Sequence, residues 1–404
     1  MSTERTRFAA PTSLTERAVA PDLARGAMLL LIALANATWY LWGAETRALS
    51  IHPVDGSVID RVWQTVLIVA VDGRTYPMFA FLFGYGIWQL YRRQVDAGTS
   101  ERDARRLLRR RHWWMLAFGL VHAALLWMGD IVGAYGLVGL IVTWLFLGRR
   151  DRTLVIWAAS ISFVMLGGGA MSALGAGIAA SLPGGAETAA SEMPFDVRAP
   201  IQEQSYPLSI LLRTGVWLLL TPGQALFTGA VPVAVLLALL AARHRVLDDP
   251  GAHLPVLRRW AIGGIAAGWL VGGAVALQNL DLLGIPAALD FGFLGVNPLA
   301  GLACGVGYVA LFGLIASRGP GGVASRALQA VGKRSLTFYL AQSVVFAPVM
   351  SAWGLGLGEH LGSASMALWA VGVWLVTVAI AVLMERAGRR GPAEWLLRRL
   401  AYRN

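Results

Sequence analysis

Between residues 27 and 385 the chain returns ten times to an apolar run of about the length that crosses a bilayer. A spanning helix needs about 20 predominantly apolar residues, because lipid offers no partner to a backbone N–H or C=O. The runs are 27–43, 74–91, 112–129, 131–148, 153–181, 209–242, 257–278, 294–316, 334–353 and 365–385. With 56% hydrophobic and only 14% charged residues, too little polar surface is left to cover a soluble domain of this size. The expected fold is all-α, a polytopic membrane protein of about ten transmembrane helices. Two runs exceed one span. Run 153–181 contains Gly167-Gly168-Gly169, a place for a break. Run 209–242 contains Thr221-Pro222-Gly223 and Pro232, so its span is expected near 222–241 with a surface segment before it.

The charges orient these runs. A formal net charge of +11 would suit a nucleic-acid partner, but the arginines are confined to alternate loops, which excludes that class. Basic residues near span ends mark the cytoplasmic side. With both termini cytoplasmic, all 34 Lys and Arg except Arg47, Arg61, Arg74, Arg198 and Arg213 fall inside. The chain then divides into a cytoplasmic tail (1–26), a membrane domain (27–385) and a cytoplasmic amphipathic tail (386–404). It sits as a multi-pass protein in the cell membrane. The first helix is read as uncleaved, because a polar tail precedes it and no small-residue cleavage site follows. The inner loop 92–111 is a basic amphipathic helix candidate whose partner is anionic lipid headgroups. The outer loop 182–208, with Pro183, Pro194, Pro200 and Pro207, reads as a mobile loop or lid. Segment 58–71 is apolar but too short to span; it is either an interfacial helix or an extension of the second span.

Polar residues inside such spans are costly and invite a functional reading. The stretch Arg105–Tyr135 opens with arginines, carries His122 in an apolar helix and ends in a Gly129-Asp130 turn. His122 precedes Asp130 by eight residues, about 12 Å at the helical rise. Gly119 beside it lets a backbone or a ligand approach closely. Asn36 in the first span falls at a similar depth. Asp72, Arg74, Asp130 and Tyr135 flank the same outer ends. These residues outline an outward-opening pocket, with Asp72, Arg74 and Tyr135 touching substrate. The alternative is that His122 only bonds a neighbouring helix, that Asp72 and Arg74 form an interfacial pair and that Asp130 caps a helix. In the ninth span, Lys333 and Arg334 mark the inner face, and Thr337, Tyr339, Gln342 and Ser343 place polar groups in the inner half. Interhelical bonding satisfies them; a basic mouth above a polar face also suits a phosphate-bearing donor. The tail from Gly391 to Leu400 reads as an amphipathic surface helix. Walker, HExxH, paired-cysteine and GxSxG patterns are missing, so no metal is expected. The single Cys304 permits no intrachain disulfide.

Three stretches together resemble the YeiB-like family of domain-of-unknown-function 418 proteins. They are Asp22-Leu23-Ala24-Arg25-Gly26 with Asn36, His122 with Gly129-Asp130-Ile131 and Tyr135, and Gly332-Lys333-Arg334-Ser335-Leu336-Thr337 with Gly391-Pro392-Ala393-Glu394-Trp395. The resemblance covers nearly the whole chain and implies a bacterial inner-membrane protein. The family is distantly similar to transmembrane acyltransferases, including the heparan-glucosaminide N-acetyltransferases and surface-polysaccharide O-acyltransferases. The latter carry Arg, ten residues and a catalytic His in the first span. Here that spacing from Arg25 ends at Asn36. Retained chemistry would therefore use His122, the one imidazole this assignment places within a span.

Two functions follow as expectations. The first is acyl transfer from a cytoplasmic thioester such as acyl-CoA to a small-molecule, glycan or lipid acceptor at the outer face. His122 is then the base, oriented by Asn36 or Asp130, with Tyr339 and Gln342 at the substrate and Arg25, Lys333 and Arg334 at the donor. The second is a solute transporter using His122 and Asp130 as a proton relay. Transporters commonly show internal repeats, and none is visible, which favours the enzyme. The topology predicts that an impermeant thiol reagent on intact cells modifies a cysteine placed at Ala190 and spares one at Ala97. The reverse labelling pattern overturns it.

Overall fold

The computed structural model describes residues 8, 18–46, 50–181, 196–285, 290–319 and 321–403, apart from the side chains of 179, 180, 291 and 294. Fourteen helices of more than one turn carry the described chain: α1 (Val19–Trp39), α2 (Val58–Ala70), α3 (Thr75–Asp96), α4 (Glu101–Leu125), α5 (Ile131–Leu145), α6 (Asp151–Ser181), α7 (Tyr206–Pro222), α8 (Ala230–Arg243), α9 (Leu254–Asn279), α10 (Phe291–Ala316), α11 (Val323–Gly332), α12 (Ser335–Met350), α13 (Ser363–Arg386) and α14 (Pro392–Tyr402). Among the described residues, seven stretches are long and apolar enough to cross a membrane: Val19–Trp39, Val58–Asp96, Asp151–Ile178, Tyr206–Phe227, Pro250–Asn279, Gly295–Ala316 and Ser363–Arg386. Three shorter apolar helices, α5, α8 and α12, lie among them. The fold is that of a multi-pass helical membrane protein.

Burial follows the solvent. Phe163, Val164 and Met171 of α6 and Leu368, Leu375 and Val376 of α13 are exposed. Arg74, Arg213, Arg334, His52, His112, His122 and Asp130 are buried. That pattern suits lipid, where apolar side chains cost nothing outside and polar ones need partners inside. The basic helix ends gather at one end of the bundle. Arg243 pairs with Asp151 at 2.6 Å and bonds the Arg149 carbonyl at 2.8 Å, which joins α8 to the α5–α6 turn. Asp248 accepts from Tyr85 of α3 at 2.9 Å. Glu385 of α13 holds Lys333 and Arg334, each at 2.7 Å. The opposite end is closed by an aromatic and aliphatic cluster that includes Tyr40, Trp127, Phe346 and Met350.

Several expectations are corrected. Run 209–242 is two helices joined by a π-helical turn, Gly223–Phe227, with Gly229 at φ +69°. The segment before Pro222 is not superficial: α7 packs on α4 and α5 and buries Ser209, Arg213, Trp217 and Thr221. Its polar residues form an inward stripe, which an average over the run conceals. The triple glycine produces no break, since α6 is continuous over 31 residues; in lipid no water competes for glycine's helical bonds. Segment 58–71 is a helix of its own. Ser57 and Asp60 form a capping box at its start, and Gly73 at φ +74° separates it from α3. The basic stretch 92–111 is no separate loop helix, because α3 runs to Asp96 and α4 continues unbroken from Glu101 into the apolar segment. Of loop 182–208, residues 182–195 lie outside the described residues; beyond them a short turn, Ala199–Gln202, leads into α7.

The tail is an integral part of the bundle. Pro392 begins α14, two residues before Glu394. The Glu394 carboxylate accepts the Leu336 N–H at 2.8 Å, the Thr337 N–H at 3.2 Å and the Thr337 hydroxyl at 2.5 Å. A side chain distant in sequence thus satisfies the open donors at the start of α12. Losing such a cap costs about 0.5–2 kcal/mol. Glu394→Ala is expected to lower the melting temperature in detergent and expose the Arg389–Arg390 link to trypsin. An unchanged melt and digest would show that α14 docks by other means.

Candidate functional site

The turn between α4 and α5 builds the site. Asp130 is the N-cap of α5, and its Oδ2 accepts the Gly133 N–H at 2.7 Å. The positive end of a helix favours an ionised carboxylate there. Its Oδ1 accepts from Nδ1 of His122 at 2.8 Å, with both side chains buried. Because a carboxylate only accepts, Nδ1 carries a proton, and in the neutral ring Nε2 then holds the lone pair. That Nε2 is buried without a hydrogen-bond partner. Trp217 of α7 points its indole N–H at Asp130 Oδ2 from 3.4 Å. The Tyr339 ring stands edge-on to His122 at 5.3 Å, and its hydroxyl accepts the Ile131 N–H at 3.2 Å.

A cavity of about 660 Å³ ends beside this pair at Val132 and Tyr339, and neither His122 nor Asp130 lines it. Val132 and Tyr339 line its inner part, and Arg25, Arg93, Arg111, Lys333 and Arg398 line it as well, opposed by Asp22, Asp248 and Glu394. Burial pushes the Tyr402 phenol up, while Arg111, Arg398 and Arg93 around it pull it down. Three guanidinium groups thus converge on one wall of α14. The α4 face carries the axis of the site. Arg111, Met115, Gly119 and His122 follow at helical spacing, and Arg111 to His122 is about 16 Å at 1.5 Å per residue.

The structure divides the residues read from the sequence. His122, Asp130 and Tyr339 come together. Tyr135, on the same helix as Asp130, gives its hydroxyl to the Tyr76 carbonyl at 2.8 Å and stacks on Phe79 at 4.7 Å. Gln342 bonds the Leu29 carbonyl at 3.2 Å. Asn36 is half-buried, and Asp130 rather than Asn36 holds the imidazole. Asp72 and Arg74 belong to a second cluster. Asp72 pairs with His52 at 2.7 Å, and Arg74 bonds the Asp72 carbonyl, Asn297 at 3.0 Å and the Gly268 carbonyl at 2.8 Å. Of the donor-side residues, Arg25 and Lys333 line the cavity. Arg25 is shared with Asp22 at 3.1 Å and the Leu82 carbonyl at 3.0 Å. Arg334 is fully buried and spent on Glu385, the Ala330 carbonyl and the Arg389 carbonyl.

Sequence reasoning missed other members. His112 is a second imidazole inside the bundle, fully buried, 3.4 Å from the Thr143 hydroxyl and edge-on to Phe83. Its place beside five arginines hid it. His52, in the loop before α2, is buried as well. Arg93, Arg111 and Arg398 were counted only as orienting charges, although the spacing from Arg111 to His122 marks one helix face. Among the described residues no group of His, Cys, Asp and Glu could hold a metal ion.

Gly119 makes the pair possible. A Cβ there would lie 2.4 Å from Asp130 Oδ2 and 2.4 Å from the Gly133 nitrogen. Overpacking of this kind costs about 1–3 kcal/mol. Gly119→Ala is expected to lower the melting temperature and separate Asp130 from His122, whereas Gly215→Ala in α7, with open space around it, is expected to be neutral. Equal melts for the two variants would refute the close approach.

Residues 241–404 match the family model described as protein of unknown function (DUF418). A Bacillus subtilis (strain 168) protein, uncharacterized protein YxaH, is 25% identical over 97% of this chain and 96% of its own. An Escherichia coli (strain K12) protein, uncharacterized protein YeiB, is 26% identical over 96% of this chain and 97% of its own. An uncharacterized 39.9 kDa protein in the amylase 3′ region of Bacillus acidopullulyticus is 30% identical over 39% of this chain and 42% of its own. Residues 241–404 of this integral membrane protein are thus similar to the DUF418 family, and nearly its whole length is similar to YeiB and YxaH.

Proposed function

We propose that the protein spans the cell membrane ten times with both termini cytoplasmic and transfers an acyl group from a cytoplasmic thioester donor, such as acyl-CoA, to an acceptor hydroxyl or amine. One observation carries this reading: a bare imidazole Nε2, held by a buried carboxylate, stands one ring behind a cavity whose walls carry five basic side chains. The grouped basic helix ends support a cytoplasmic mouth. A donor phosphate would rest among Arg93, Arg111 and Arg398, leaving about 16 Å along α4 to His122. The donor must therefore carry its acyl group on a long arm, as a coenzyme thioester does.

His122 Nε2 takes the proton of the acceptor hydroxyl as its oxygen bonds the thioester carbonyl carbon. The Asp130 carboxylate stabilises the imidazolium that forms. The tetrahedral adduct then collapses with cleavage of the C–S bond, and the imidazolium returns its proton to the departing thiolate. The products are an ester and a free thiol. Transport is the competing reading. It is favoured by the broken path from α7 to α8, whose π-helical turn follows the helix that carries Trp217 to Asp130, because discontinuous helices line transporter sites.

His122→Gln separates the two. A positioned base contributes about 10²–10⁴-fold, so thiol release from acyl-CoA by membranes containing the variant is expected to fall by that order. Its melting temperature is expected to stay close to that of the parent, since the glutamine amide keeps an N–H donor for Asp130. Parental thiol release from a stable variant would end the acyl-transfer reading.

A further inference from the structure

Arg213 is a buried cation that neither the cavity nor the His122–Asp130 pair uses. It is 1% exposed, and no carboxylate lies within ion-pair distance among the described residues. Its Nε bonds the Ala124 carbonyl at 3.0 Å and its Nη1 the Ser209 hydroxyl at 2.6 Å. Nη2 is buried without a partner. The guanidinium sits 5.1 Å from the Tyr206 ring and 5.4 Å from the Trp353 ring. Of the other deeply buried arginines, Arg334 holds Glu385, while Arg74 holds Asn297 and two carbonyls and leaves its Nε without a partner.

The surroundings repeat the pattern. The indole nitrogens of Trp127 and Trp353 and the hydroxyl of Tyr40 are buried without hydrogen-bond partners. Trp127 lies three residues after Ala124, whose carbonyl accepts from Arg213, and Tyr40 stacks on Trp127 at 4.7 Å. Tyr40 and Trp127 share one buried cluster against which Trp353 packs, Arg213 lies over the Trp353 ring, and each of the four keeps a buried donor without a partner. Unmade hydrogen bonds of this kind are expensive in a low-dielectric interior. The group they lack is rich in acceptors and negatively charged. A single guanidinium balances one negative charge, and a net charge left in the interior is costly, so a monocarboxylate matches where a phosphate dianion does not. Tyr206 and Trp353, partly exposed and tilted together at 4.8 Å, form the outward edge.

We propose that Arg213, Tyr40, Trp127 and Trp353 form a binding site for the carboxylate of a small molecule that enters from the end opposite the basic cavity. Calling that molecule the acyl acceptor rests on the acyl-transfer reading; the binding itself does not.

The test is a titration of the purified full-length protein in detergent, following intrinsic tryptophan fluorescence. Acetate is compared with inorganic phosphate and chloride at matched ionic strength. The parent protein is expected to show a saturable response to acetate and none to phosphate or chloride. Arg213→Met is expected to raise the acetate midpoint at least tenfold. Trp353→Phe, which keeps the guanidinium and most of the packing, is expected to raise it several-fold and serves if Arg213→Met does not fold. An absent acetate response, an equal response to phosphate, or an unchanged midpoint in a folded variant overturns the site. The titration needs no donor and no turnover. In the parent protein, no acetate binding with thiol release from acyl-CoA would sink the site alone, and acetate binding without thiol release would sink acyl transfer alone.

Discussion

The structure depends on one carboxylate. Asp130 is buried at the meeting of three helices, and an ionised carboxylate in an apolar interior is tolerable only when its lone pairs are filled. The start of α5 fills one with a backbone N–H, α4 one with the His122 ring, and α7 brings an indole N–H. Each partner constrains its helix. Gly119 must lack a side chain so that α4 can lie against the turn, and Gly133 must lack one because Trp217 occupies the space. The break after Pro222 frees α7 to lie at its own angle beside α4 and α5. The close packing of α4, α5 and α7 and the orientation of the imidazole follow from satisfying this one group.

The arginines serve in two ways. Those at the basic helix ends orient a membrane chain and, in this fold, also line a cavity. The three that are fully buried show different solutions to one problem. Arg334 caps carbonyl groups and pairs with Glu385, which ties the tail to α12 and α13. Arg74 draws backbone carbonyls and Asn297 into its fork and holds α3 to α9 and α10. Arg213 rests on aromatic faces, which a delocalised and weakly hydrated guanidinium tolerates better than an ammonium group would.

Much of this was legible residue by residue. Nine of the ten apolar runs correspond to a helix each, because the length needed to cross lipid leaves a plain signal. The Gly-Asp turn after His122 was visible as a cap, and the neighbouring imidazole as its companion. The Gly-Pro-Ala-Glu-Trp tail was visible as an amphipathic helix, but its glutamate was not visible as the cap of α12. Segment 209–242 misled because its hydropathy is uniform while its backbone is broken. Asp72 and Arg74 were placed by depth beside His122. Depth along a membrane normal says nothing of position around the bundle, and they face His52 and α9–α10 instead.

The sequence alone determined the solvent and the elements. Apolar length requires a lipid surroundings, and the capping residues at Ser57, Ser100 and Asp130 start helices where their side chains meet the third residue onward. These are local effects, settled within a few residues of chain. Only the tertiary structure decided which polar groups share a site. The His122–Asp130 contact spans eight residues, but the Trp217–Asp130, Tyr339–Ile131 and Glu394–Leu336 contacts span 87, 208 and 58. Between helices that are equally apolar the solvent expresses no preference for a neighbour. The choice of neighbours falls to the few buried polar groups that must find partners and to the glycines that let them meet.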